Sequence, residues 1–79
     1  MSYKLIDSND YYERLGNYYI DANIHIMERT ASDKLFFTLF HKWIFREHGA
    51  KVVFNYDTGN ELWFESKDRM IEFILRWSN

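Results

Sequence analysis

Lys51–Trp77, KVVFNYDTGNELWFESKDRMIEFILRW, is the stretch whose reading decides the fold. Val52-Val53-Phe54-Asn55-Tyr56 and Glu61-Leu62-Trp63-Phe64-Glu65 are β-branched and aromatic runs, and Asp57-Thr58-Gly59-Asn60 separates them. Such runs favour strands, and a short Gly-containing link between them favours a hairpin. A three-residue loop needs a left-handed residue at its third position, which Gly59 supplies if the loop is Asp57-Thr58-Gly59. That loop sets Tyr56 opposite Asn60, Phe54 opposite Leu62 and Val52 opposite Phe64. Side chains alternate with period two, so Val52, Phe54, Tyr56, Leu62 and Phe64 form one apolar face. The other face is mixed, with Val53 opposite Trp63 and Asn55 opposite Glu61.

Ser66 follows as a helix N-cap, with Asp68 favourably placed in the first turn. Met70, Ile71, Phe73, Ile74, Leu75 and Trp77 then fall on one wide arc. Asp68, Arg69, Glu72 and Arg76 lie opposite, with Glu65/Arg69 and Glu72/Arg76 at i,i+4 spacing. The apolar arc is expected to pack on the apolar face of the hairpin.

Upstream, Asp33 to about His48 reads as the longest helix, opened by Thr30-Ala31-Ser32-Asp33 and ended by Gly49. Its apolar residues (Leu35, Phe36, Phe37, Leu39, Phe40, Trp43, Ile44) span roughly 200°, wider than the usual stripe, which predicts burial on more than one side. Within Asn17–Glu28, Ile20, Ala22, Ile24 and Ile26 alternate with Tyr19, Asp21, Asn23, His25 and Met27, the pattern of a half-buried strand. Ser8 or Asp10 caps a short helix bearing Tyr11, Tyr12 and Leu15 that Gly16 ends. Tyr3–Ile6 offers a further short strand or an arm over the core. The order (short α)-β-α-β-β-α predicts an α+β two-layer sandwich, a sheet of three or four strands with both main helices on one face.

Seventy-nine residues make a single domain, residues 1–79. Three Trp, six Tyr and seven Phe supply a dense core, while the absence of Pro and the count of three Gly argue against linkers. No Cys is present, which excludes disulfides and thiolate metal sites and fits a reducing compartment. Met1-Ser2-Tyr3-Lys4 lacks a signal-peptide core and no apolar run reaches membrane-spanning length, so a soluble, cytoplasmic protein is expected.

The chemistry-bearing residues point away from catalysis. His41 and His48 share a helix face two turns apart, and His25 stands alone on its strand, so no metal or other cofactor is expected. The serines sit at termini and caps, and no nucleophile, phosphate-loop or dinucleotide motif occurs. An enzyme is not expected. A protein-binding surface is: Tyr19, Met27, Val53 and Trp63 form an apolar centre with an acidic rim of Asp21, Glu61 and Glu65, His25 on the same face. Phe45, beside His41 and Thr38, is a second exposed candidate. The plainer alternative buries Trp63 beneath the N-terminal segment.

Net charge is −2 and uneven. The basic middle segment (Arg29, Lys34, Lys42, Arg46, Lys51) is the surface a nucleic-acid-binding accessory domain would use, though the aromatic face and the charge fall on different faces. A homo-oligomeric structural component, with the Trp63 face against its own copy, is the third reading.

The segment NELWFESKDRMIEFILRW, a strand ending in an aromatic pair followed by a capped helix closing on Trp, resembles the end of small accessory proteins of tailed bacteriophages. The likeness covers Lys51–Trp77 and carries over no functional residue. It implies a phage protein, made in the cytoplasm of the infected cell, that binds and inhibits or modulates a host enzyme, an antiviral defence complex or a phage assembly partner.

Overall fold

A computed structural model describes residues 1–23 and 33–78. Its elements are β1 (Tyr3–Lys4), α1 (Ser8–Ala22), α2 (Asp33–His48), β2 (Ala50–Asn55), β3 (Gly59–Phe64) and α3 (Lys67–Trp77). The strands form an antiparallel sheet in the order β1-β3-β2, so the fold is α+β with β3 at its centre.

The hairpin forms where expected, two residues out of the expected register. Asn55 pairs with Gly59, Phe54 with Asn60, Val53 with Glu61, Val52 with Leu62, Lys51 with Trp63 and Ala50 with Phe64. The cause is local. Asn55 Oδ1 accepts from the backbone N–H of Asp57 at 2.8 Å and of Thr58 at 3.4 Å, an Asx turn that closes the chain one residue early. Gly59 still takes the left-handed conformation, φ +85°. A two-residue shift preserves side-chain parity, so Leu62 and Phe64 keep the core face and are fully buried. Phe54 and Tyr56 do not join them. They are 62% and 95% exposed, their rings stacked edge-on at 5.2 Å, because the helices cover only the Ala50–Val52 end of β2.

All three helices contribute to a core on that one face: Leu15 and Tyr19 from α1, Phe40 and Ile44 from α2, Phe73 from α3. Ser66 caps α3, accepting from the Arg69 N–H at 3.4 Å. Arg69 in turn donates to the Glu47 carbonyl at 3.3 Å, supplying a partner to the C-terminus of α2, which Gly49 closes at φ +70°.

The strand expected over Asn17–Glu28 is not formed: residues 17–22 continue α1, and 24–28 lie outside the described residues. The spacing Tyr11/Tyr12, Leu15, Tyr19 is a helical stripe, and burying Leu15 and Tyr19 outweighs the roughly 1 kcal/mol that Gly16 costs inside a helix. Tyr19 is thereby a core residue, its ring 5.2 Å from those of Phe40 and Trp43. The N-terminus of α1 is held not by a side-chain cap but by Ser8, whose hydroxyl donates to the Leu5 carbonyl. Burial of α2 on several sides is likewise not observed. Phe40, Ile44 and His48 are buried and Phe36 and Trp43 half-buried, while Phe37, Leu39 and Phe45 are exposed.

His48, which helical spacing sets on the polar side of α2 with Lys34, Thr38 and Lys42 and so at the surface, is buried against three aromatic rings. Its ring meets Trp43, Phe73 and Trp77 edge-on at 5.5, 5.2 and 5.7 Å. Burial, then the Arg76 guanidinium and more weakly Arg69, lower its pKa to about 4 against the pull of Glu47. The imidazole is therefore neutral near pH 7, and among the described residues its Nε2 has no hydrogen-bond partner.

Three residues test this packing: Gly16, Gly59 and His48. A Cβ on Gly16 would sit 3.8 Å from the Phe40 ring, an ordinary contact, so Gly16→Ala should stabilise by about 0.5–1 kcal/mol in urea unfolding. A Cβ on Gly59 would meet Asn9 Oδ1 at 2.9 Å with φ strained, so Gly59→Ala should destabilise by about 1–2 kcal/mol. For His48, the unfolded chain takes up a proton near pH 6.5 and the folded chain only near pH 4. Its contribution to stability is complete above pH 6.5 and drains away between those values as pH falls. Thermal melts from pH 7 to 4.5 should show the decline, and His48→Leu should flatten it.

Candidate interaction groove

β3 lies between its neighbours, so among the described residues β2 is an edge strand, and α2 runs beside it ahead of the Gly49 turn. Between the two lies an open groove of about 740 Å³, lined by Thr38, His41, Lys42, Phe45 and Arg46 of α2 and by residues 50–53 of β2. Phe45 is 51% and Val53 45% exposed, which places two apolar side chains at its walls.

Charge around the groove is mainly positive. Lys42, Arg46 and Lys51 line it. Glu47 stands 3.5 Å from Arg46 Nε, and Glu65 stands 3.9 Å from Lys51 Nζ, both pairs largely exposed and therefore weak. His41 adds no charge at neutral pH. Its Nε2 shares a 2.8 Å hydrogen bond with the Tyr12 hydroxyl, and burial lowers the imidazole pKa while raising that of the phenol. The pair anchors α2 to α1 behind the groove.

The open face of the sheet has a different character. Glu61, 6% exposed, accepts from the Trp63 indole N–H at 3.1 Å and the Thr58 hydroxyl at 2.9 Å, and Lys4 Nζ lies 3.5 Å away. The indole first, then the hydroxyl, with Lys4 adding its charge, hold the carboxyl pKa below the usual range. Glu61 and Trp63 are thus spent on one another. Trp63 is half-buried, its backbone paired with Lys4 of β1 and Lys51 of β2 rather than with Val53 as the expected register required.

The expected protein-binding set is therefore divided. Phe45 and Val53 both line the groove; Glu65 stands at its margin through Lys51; Glu61 and Trp63 form a closed network on the open face. Tyr19 is in the core, Asp21 is on the exposed side of α1 far along the chain from the sheet, and His25 lies outside the described residues. Of the basic set, Lys42, Arg46 and Lys51 converge on the groove, Lys34 sits in the first turn of α2, and Arg29 lies outside the described residues. Sequence reasoning missed the exposed pair Phe54 and Tyr56 and the edge position of β2. The Asx-forming Asn55 was the available signal for the shifted register; helix coverage and strand order, which no local pattern encodes, decide the exposure of Phe54 and Tyr56 and the edge position of β2.

Among the described residues no three metal-ligating side chains converge, and no helix is long and apolar enough to cross a membrane. Comparison with known protein families, curated proteins and solved structures finds no match.

The contrast between the two acidic residues is measurable. Glu61→Ala should lower the urea midpoint clearly and remove an acid-sensitive contribution, present above the unfolded carboxyl pKa and lost as pH falls through the depressed folded value. Glu65→Ala, at an exposed pair, should stay within about 0.5 kcal/mol of wild type.

Proposed function

We propose that this chain is a non-catalytic interaction domain that uses the α2/β2 groove to bind and inhibit or modulate a macromolecule. The carrying observation is the convergence of Phe45 and Val53 with Lys42, Arg46 and Lys51 beside the outer edge of the sheet. Aromatic and Arg side chains round an apolar centre are the composition of binding hot spots, and an exposed strand edge adds main-chain groups a partner can pair with. The bacteriophage resemblance of residues 51–77 supplies the setting: a host or phage protein as the partner, antiviral defence components included, met in the cytoplasm of the infected cell.

Nucleic acid is the second reading. It is favoured by the placement of three basic side chains around Phe45 in one groove, where stacking and phosphate contact would coincide. Glu47 and Glu65 beside Arg46 and Lys51 weaken it, since they would repel the same phosphates.

A tagged pull-down from nuclease-treated bacterial lysate tests the proposal, comparing wild type with Phe45→Asp. Phe45 is half exposed, so the variant should unfold within about 0.5 kcal/mol of wild type. A protein recovered by wild type and lost with Phe45→Asp is the expected result; equal recovery by both overturns it. Nucleic acid retained without nuclease, and released between about 50 and 200 mM salt, would install the second reading. Mass that grows with protein concentration would instead point to self-assembly.

A further inference from the structure

We infer that the occupant of this groove is an extended, acidic segment of a partner protein that adds to β2 as a fourth strand of the sheet. The inference rests on the groove being the working surface.

The backbone directions come from one hydrogen bond. The Leu5 N–H donates to the Leu62 carbonyl at 3.0 Å, so the main-chain groups of Leu62 point toward β1. Along a strand these groups alternate, so those of Glu61 and Trp63 point toward β2 and bond Val53 and Lys51. On β2 the groups of Val52 and Phe54 consequently point outward, away from the sheet. Among the described residues no hydrogen bond reaches them. β2 is six residues long, its pairing with β3 is unbroken by any bulge, and the chain has no proline. Among the described residues, Lys51 is the one usual edge protection that β2 carries.

The side chains nearby say what strand would fit. An added strand directs alternate side chains to the helix side and to the open face. On the helix side they meet Lys42, Phe45 and Arg46; on the open face they meet Lys51 and Val53. Both sides thus offer an apolar contact flanked by positive charge, partly offset by Glu47 beside Arg46 and Glu65 beside Lys51, which matches a segment carrying single, spaced carboxylates at both parities better than a continuous run of phosphates. A second copy of this chain fits worse. Two-fold pairing of β2 with β2 would bring the Lys42, Arg46 and Lys51 groups of one copy against those of the other, and facing like charges are destabilising.

The test selects from a displayed library of random twelve-residue peptides against the full chain, then synthesises the best binder. The expected binder is rich in Asp and Glu, and its binding slows hydrogen exchange at the Val52 and Phe54 amides. N-methylation of its alternate residues should weaken binding about tenfold or more in one register and little in the other, because only one set of amides faces β2. Lys42→Glu combined with Arg46→Glu should weaken it comparably. The inference is overturned if no peptide is selected, if binders are not acidic, if neither N-methyl register matters, or if Val52 and Phe54 become protected merely on concentrating the free protein. Should these fail while Phe45→Asp still abolishes capture of the lysate partner, the groove remains the working surface without strand addition. Should Phe45→Asp have no effect either, the functional reading falls with it.

Discussion

β3 is the strand on which every other element depends. It pairs with β1 along one side and β2 along the other, and its Leu62 and Phe64 are fully buried beneath the helices. A strand so placed has no freedom of register, since a one-residue slip would drive Glu61 and Trp63 into the core and expose the apolar pair. Phe64 meets Phe73 at 5.3 Å, which docks α3, and α1 and α2 close over the same face through Leu15, Tyr19, Phe40 and Ile44. In a chain this short, stacked and edge-on rings supply much of the packing that length would otherwise provide.

What was legible in the sequence was local. Ser66 and Gly49 each mark their element by backbone chemistry that needs no distant partner, and both sit where that chemistry placed them, whereas Gly59 keeps its left-handed backbone but opens β3 instead of closing the loop. Parity on β3 was equally safe, because a two-residue register error cannot change it. The failures were non-local. Period-two alternation around Ile20 and Ala22 competed with an i,i+4 stripe, and the surface offered by α2 through Phe36, Phe40 and Trp43 decided in favour of the helix. Phe54 and Tyr56 were apolar residues of the correct parity that no helix reaches. His48 looked like a surface residue on its own helix and is buried by α3.

The candidate surface follows the same division. That Phe45 and Val53 are exposed was readable from each pattern alone; that they share a groove depends on the turn at Gly49 laying α2 beside β2. Lys42 and Arg46 come from α2 beside Phe45, and Lys51 joins them only through that turn. Conversely Trp63, the most conspicuous interface candidate, has its indole N–H committed to Glu61. A side chain already bonded and half covered has less to offer a partner than one standing open to water.

The bare edge of β2 also bears on how the chain behaves when nothing occupies it. An unpaired strand ending in exposed Phe54 and Tyr56 is the template from which sheets extend into fibrils, and the overall charge of −2 gives little long-range repulsion to keep copies apart. What opposes stacking is the local cluster of Lys42, Arg46 and Lys51. Its reach is about one Debye length, roughly 8 Å at physiological ionic strength and nearer 3 Å at 1 M. Added salt should therefore weaken this opposition to stacking without touching the contacts that hold the fold.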